Sequence, residues 1–363
     1  MRTETLLYKP DWAEAKQRLT AWWRGERTDR CLLQVSAPRD NAAALGPAPE
    51  AKTIEQRWCD LEYLTARIEH KHRRTFYGAE SVPCWDAGFP GHVSLPTFYG
   101  CPFKLDWRTG WHQPILTGEE LDLSGLKVDR AGHWWRFGDE MLEYARKASA
   151  GRSIPSMCAI YGGGDTLAAL RGTERVLFDL MDRPAAVRDA EIKLMDDWCE
   201  VFSHQVGLLT RDGGPYVSWF GLWAPGRCYP MQCDVSFGIS PKSFRECFVP
   251  ALRKQAEFLD HALYHLDGTG AFPLLDELLR IERINAIQVY PGTGKPSPLH
   301  YIDVLRKVQR AGKGLHISIS AEEVEPALDL LSSRGLCIDT EARTEKQARE
   351  IIDLAGRKSV ERG

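Results

Sequence analysis

Hydrophobic and polar positions alternate with a period of two in four short segments late in the chain. In GLHISIS (314–320), Leu315, Ile317 and Ile319 alternate with His316, Ser318 and Ser320. In NAIQVY (285–290), Ile287 and Val289 alternate with Ala286, Gln288 and Tyr290. In LCID (336–339), Leu336 and Ile338 alternate with Cys337 and Asp339, and in ALYHLD (262–267) His265 and Asp267 fall on one face. Segments with helical periodicity separate these runs, at 241–259, 272–279, 299–310 and 321–331, with a last one at 344–354. Strands alternating with helices predict a parallel α/β sheet.

Upstream the pattern is less regular. It predicts helices at 10–24 and 53–74, a strand at 31–38, and a strand at 81–88 that runs into a glycine- and aromatic-rich loop. A strand is expected at 111–116 and a helix at 134–148. A strand begins at Ile154, two helical segments reach Leu209, and the strand 215–221 leads into a long loop. Strands starting at Ser81, Ile154, Pro215, Ala262, Asn285, Leu315 and Leu336 make seven, and one of the two remaining early segments makes eight. The expected fold is therefore α/β, a (β/α)8 TIM barrel (76–363) with an N-terminal helical extension (1–75) packed on it. An open doubly wound sheet is disfavoured, because Gly162-Gly163-Gly164 lacks the spacing of a dinucleotide fingerprint.

Composition narrows the function classes. A formal net charge of −3 gives no global attraction to nucleic acid or an anionic membrane. The basic run at 70–74 reads as a solvated helix end. Ten scattered cysteines form no disulfide framework. No uninterrupted apolar run approaches the roughly 20 residues of a membrane span, so a cytoplasmic protein is expected.

Both faces of a barrel strand are buried, so aliphatic positions should face the helices and polar ones the lumen. That places His265, Asp267, Gln288, Tyr290, Ser318, Ser320 and Asp339 toward the lumen or its C-terminal mouth, where such barrels carry their sites. His265-x-Asp267 leaves three readings open: metal ligands, substrate contacts or a structural pair. Asp234, in the loop QCDVS, is a second candidate carboxylate or a turn cap. Asp339 is a candidate general base, and Tyr290 and Gln288 orient reacting groups. Ser318 faces the substrate, while Arg343 offers a bidentate grip on a carboxylate. Among the twelve tryptophans, Trp22, Trp23, Trp134 and Trp135 read as packing. Trp85, Trp219 and Trp223 are expected to wall a substrate.

The runs GRCYPMQCDVSFGISPKSFRECFVPALRKQ, YHLDGTG and INAIQVYPGTG, with AGKGLHIS and GLCIDTEARTEKQARE, resemble the uroporphyrinogen decarboxylase superfamily, including its corrinoid-dependent methyltransferase branch. WWRGERTDRCLLQVSAPR and DTLAALRGTERVLFDLMDRP extend the resemblance over nearly the whole chain. Two departures matter. CWDAGFPG carries Asp86 but no paired arginines, which does not suit a substrate with eight carboxylates. The methyltransferase branch has H-x-C-G where this chain has His265-Leu266-Asp267-Gly268, so an aspartate replaces a thiolate. The resemblance implies zinc on His265 and Asp267, with Cys337, Cys233 or Cys228 as a third ligand. It implies methyl transfer on a small thiol or corrinoid-linked substrate. The corrinoid would sit on a separate partner protein, since no D-x-H-x-x-G segment is present here. It also implies a homodimer. Two alternatives stand beside it: a metal-free decarboxylase of a small carboxylic acid using Asp86 or Asp234, and a non-catalytic corrinoid- or ligand-binding barrel.

Overall fold

The computed structural model describes residues 5–362. Its strands are β1 (Leu32–Pro38), β2 (Thr75–Ala79), β3 (Cys84–Trp85), β4 (Phe103–Leu105), β5 (Gly110–His112), β6 (Ile154–Pro155), β7 (Cys228–Met231), β8 (His261–Asp267), β9 (Ile284–Tyr290), β10 (Gly314–Ser318) and β11 (Leu336–Glu341). Seven of them form one open sheet in the order β2-β1-β11-β10-β9-β8-β7, parallel except for the antiparallel β1/β2 edge. β3 and β6 form a separate parallel pair, extended by a single bridge from Ser156 to Val217. The chain is thus α/β with a mostly parallel seven-stranded sheet, and among the described residues the backbone ladder does not close into an eight-stranded barrel.

Side chains occupy the seams where closure is expected. At one, the Leu33 amide donates to the Glu80 carboxylate at 2.9 Å, and Arg30 grips the same carboxylate with two bonds of 2.7 Å. At the other, the Cys228 amide donates to the Tyr216 hydroxyl at 2.9 Å. A side chain that takes a strand amide leaves no ladder bond for a neighbour. Pro155 in β6 and Pro230 in β7 each remove a further donor.

Several expected elements are redrawn. The loop after Gly221 contains β7, and β2 was not foreseen. Of the segment 111–116, only Trp111 and His112 are strand, and they belong to the small antiparallel β4/β5 hairpin rather than the main sheet. The helix expected at 53–74 breaks into Ile54–Cys59 and Leu61–Arg74, because Asp60 is extended and caps the second helix by accepting from the Tyr63 amide. Finally, β1, the strand expected at 31–38, sits inside the sheet between β2 and β11.

Two cores follow from the strand alternation. Leu315, Ile317, Ile287, Val289, Leu336 and Ile338 are at most 1% exposed and pack outward in the large core. A second core lies against the opposite face of the sheet, where Leu32, Leu263, Ala286 and Cys337 meet Trp12, Trp22 and Trp23 of the helix Trp12–Trp23. That face therefore has an apolar floor sealed by tryptophans. Polar side chains begin one layer higher. No described helix is long and apolar enough to cross a membrane.

Candidate metal centre

Strand register stacks the inward polar residues in rows. His265 lies opposite Gln288, and Gln288 opposite His316; one step toward the mouth, Asp267 lies opposite Tyr290 and Ser318 opposite Asp339. Two glycine-lined contacts bring a loop over this face. A Cβ on Gly163 would stand 2.4 Å from the Gln232 carbonyl oxygen, and one on Gly164 would stand 2.2 Å from Val235 Cγ1. Only glycine admits this approach, so Gly162-Gly163-Gly164 seats the segment 232–235 against the start of the helix Gly164–Arg171. Beyond it, Phe237 lies on the bare backbone of Gly268 and Gly270, where an added Cβ would come within 2.9 and 2.6 Å of the ring. The glycines of YHLDGTG thus hold the loop that carries Asp234.

The result is a cluster of three side chains from two places in the chain, the end of β8 and the loop after β7. Ligand atoms of Asp234, His265 and Asp267 lie within 4.8 Å of one another. His265 Nε2 is 3.9 Å from Asp267 Oδ2, and Nδ1 faces Gln288 Oε1. A glutamine carbonyl only accepts, so Nδ1 carries the proton and Nε2 presents its lone pair to the carboxylates. Burial lowers the His265 pKa, which favours this neutral, ligating form. Trp219 and Phe220 meet the imidazole edge-on at 5.9 and 5.4 Å, and Tyr290 stacks near it at 6.1 Å. Two strands over in the same row, burial and then His265 push the pKa of His316 down to about 4, and its Nε2 is 3.4 Å from Gln34 Oε1.

A third carboxyl, Asp165, was not foreseen from the sequence. Its Oδ1 accepts from the Val235 amide at 3.0 Å and its Oδ2 from Gln232 Nε2 at 2.9 Å. The same Gln232 nitrogen donates to Asp234 Oδ2 at 3.3 Å, so one amide ties the two carboxyls together. Burial, and then the Asp234 charge, push Asp165 up to about 7. Burial, and then the Asp267 charge, push Asp234 up to about 6. Asp234 keeps open surface even though protein surrounds it, as expected of a group lining a wet cleft. Among the described residues no lysine or arginine pairs with Asp165, Asp234 or Asp267. Carboxyls pressed together without a counter-charge hold protons or take a cation.

The strain sits here as well. Tyr161 has φ +67°, and its carbonyl is pinned by Trp198 Nε1 at 2.8 Å and the Tyr229 hydroxyl at 3.1 Å. Non-glycine residues held in this conformation cluster at functional sites. The sequence signal for Asp165 is the GGG run that precedes it, whose spacing excludes a dinucleotide fingerprint but permits close backbone approach.

The other expected site residues separate. Tyr290, Ser318 and Asp339 line an adjoining cleft of about 500 Å³, where Ser318 Oγ donates to Asp339 Oδ2 at 3.1 Å and burial raises the Asp339 pKa. Asp86 accepts from the Gly88 amide at 2.9 Å, and burial raises it too. The cysteines stand apart from the cluster. Cys233 is buried beneath the glycine turn, Cys337 faces Gln34 at 3.9 Å, and Cys228 packs in the floor. Burial pushes all three thiols up, which disfavours thiolate ligands. Asp234 thus stands where a cysteine was expected, because the glycine contacts aim its loop at the strand ends. Arg343 pairs with Glu322 at 2.8 Å on the outer surface. Trp85 donates to Thr65 and Trp223 packs edge-on against Trp12, so of the three expected wall tryptophans Trp219 alone meets the cluster.

No protein-family model and no curated protein matches the sequence. Among solved structures, the chain shares its fold with a methyltransferase from Methanosarcina mazei, at a TM-score of 0.63 and 13% sequence identity, over 94% of this chain and 98% of that one.

Proposed function

We propose that this protein is a metal-dependent enzyme of methyl transfer, with His265, Asp267 and Asp234 holding a divalent cation. The observation that carries the reading is the convergence of their three ligand atoms, unpaired with any described lysine or arginine, at the mouth of a fold shared with a methyltransferase. One imidazole and two carboxylates suit zinc, which accepts nitrogen and oxygen donors alike. A bound cation supplies Lewis acidity, lowering the pKa of a thiol or water. Gln288 fixes the His265 tautomer, and Gln232 with Asp165 sets the angle of Asp234. Trp219, Phe220 and Tyr290 exclude water from one side. Asp339 accepts the proton of the incoming nucleophile, whose lone pair then bonds to the methyl carbon as the donor–methyl bond breaks with its electrons. The donor is a small molecule or a corrinoid on a separate protein.

Metal-free decarboxylation has less support. A carboxylate substrate would enter a mouth carrying Asp234, Asp267 and Asp339. Metal analysis of the purified protein tests the proposal, with close to one equivalent expected. His265→Ala and Asp267→Ala should each lose it, together with transfer from methylcobalamin to a small thiol. Less than about a tenth of an equivalent in the wild type sinks the metal reading.

A further inference from the structure

The floor of the sheet carries a second, oppositely charged concavity. A cleft of about 760 Å³ opens at the N-terminal ends of β9, β10 and β11, lined by Ile284, Gly314 and Gly335. That volume is in the range of small-molecule sites. Six basic residues line it, Arg24, Arg306, Arg310, Lys313, Arg334 and Arg362, against the single carboxylate of Glu282. In a chain of net charge −3 this is a local reversal of sign, and the cations come from separate segments that only the fold brings together.

Half of these cations have a structural task. Arg306 donates to the Leu330 carbonyl, Arg362 to those of Leu328 and Leu331, and Lys313 to those of Ile281, Glu282 and Ile284. They satisfy carbonyls at the ends of neighbouring elements. The other half do not. The side chains of Arg310 and Arg334 make no hydrogen bond or close ion pair with any described residue, Arg334 feeling only the more distant charge of Glu361, and Arg24 pairs only with Glu26, at 3.7 Å. Trp22 adds an aromatic wall fixed by its indole, which donates to the Gly335 carbonyl at 2.9 Å.

We infer that this floor cleft binds a small phosphorylated molecule, with Arg310 and Arg334 gripping its phosphates and Arg24 at the rim. Guanidinium forks match phosphate oxygens bidentately, and a concave, partly aromatic wall accommodates the organic remainder. The site is separate from the metal centre by the length of a strand, about 20 Å. The inference therefore stands or falls independently of the proposed methyl transfer.

Calorimetric titration of the purified protein with inorganic pyrophosphate and with ADP, without added divalent cation, tests it. Binding that weakens as salt is raised from about 50 to 200 mM is expected. Arg310→Gln with Arg334→Gln should weaken it roughly tenfold or more, with an unchanged melting temperature and metal content. Should the double variant fail to fold, each single substitution read in the same titration decides. No binding at 10 mM ligand (about the weakest affinity of interest), or equal binding by the variants and the wild type, overturns the inference.

Discussion

The two sides of the candidate metal centre are built differently. His265 and Asp267 stand on β8, inside a run of parallel strands whose registers fix each neighbour. Asp165 opens the helix Gly164–Arg171, and Asp234 lies in a short turn three residues beyond the end of β7, so neither stands on a strand of the ladder. Backbone hydrogen bonds position the first side. On the second, glycine contacts, a pinned carbonyl at Tyr161 and the Gln232 amide do that work. Regular strands supply a fixed platform, while the irregular side brings the extra carboxyls that complete a donor set. It also stores the strain.

Breaking the irregular side should have the largest effect. Gly164→Val would drive a side chain into Val235 and Phe248, where even a Cβ stands at 2.2 and 2.8 Å. Overpacking of this kind costs about 1–3 kcal/mol or more, so a lowered melting temperature together with loss of bound metal is expected. Retention of full metal content would show that the glycine contact does not position Asp234.

Next comes the regular side. Gln288→Leu leaves the His265 tautomer unspecified while preserving volume, and should weaken metal affinity by roughly 10- to 100-fold. A competition titration against a chelator reads this directly. Unchanged affinity would remove Gln288 from the centre.

Acidity gives a smaller, signed effect. The folded-state pKa values of Asp165 and Asp234, about 7 and about 6, lie above that of an ordinary aspartate at 3.8. The folded state therefore binds more protons than the unfolded chain. The contribution of the pair to stability is fully present below about pH 4 and is lost as pH rises through about 7. Metal-free protein should melt progressively lower across that window, and Asp165→Asn should flatten the dependence by roughly 2 °C or more. Added divalent cation should restore stability at pH 7, where it replaces the lost protons. An identical pH profile in the variant would rule out Asp165 as the titrating group. The smallest effect is expected at Arg343→Ala, whose surface pair with Glu322 is worth within about 0.5 kcal/mol, with turnover unchanged.

Legibility followed the same division. The alternation in 262–267, 285–290, 314–320 and 336–339 was readable because a strand's period of two is intrinsic to its backbone, so the buried face announces itself. His265, Gln288, Tyr290, Ser318 and Asp339 were picked out in this way. Cys233 and Cys337 were chosen for their chemistry, and burial removed them from the centre. Asp165 went unnoticed because its partners, Gln232 and Val235, lie 67 and 70 residues away along the chain. Nothing in its local pattern points to them.

What the sequence determined by itself was the α/β alternation and the inward polar face of β8 to β11, since both follow from local periodicity and burial. Only the tertiary structure decided that the ladder stays open, that Asp234 and Asp165 join His265 and Asp267, and that arginines from distant segments share the floor. Those outcomes depend on Glu80 and Tyr216 taking strand amides, and on glycines letting two backbones touch. Such contacts form between segments, and no segment's own pattern encodes its partner.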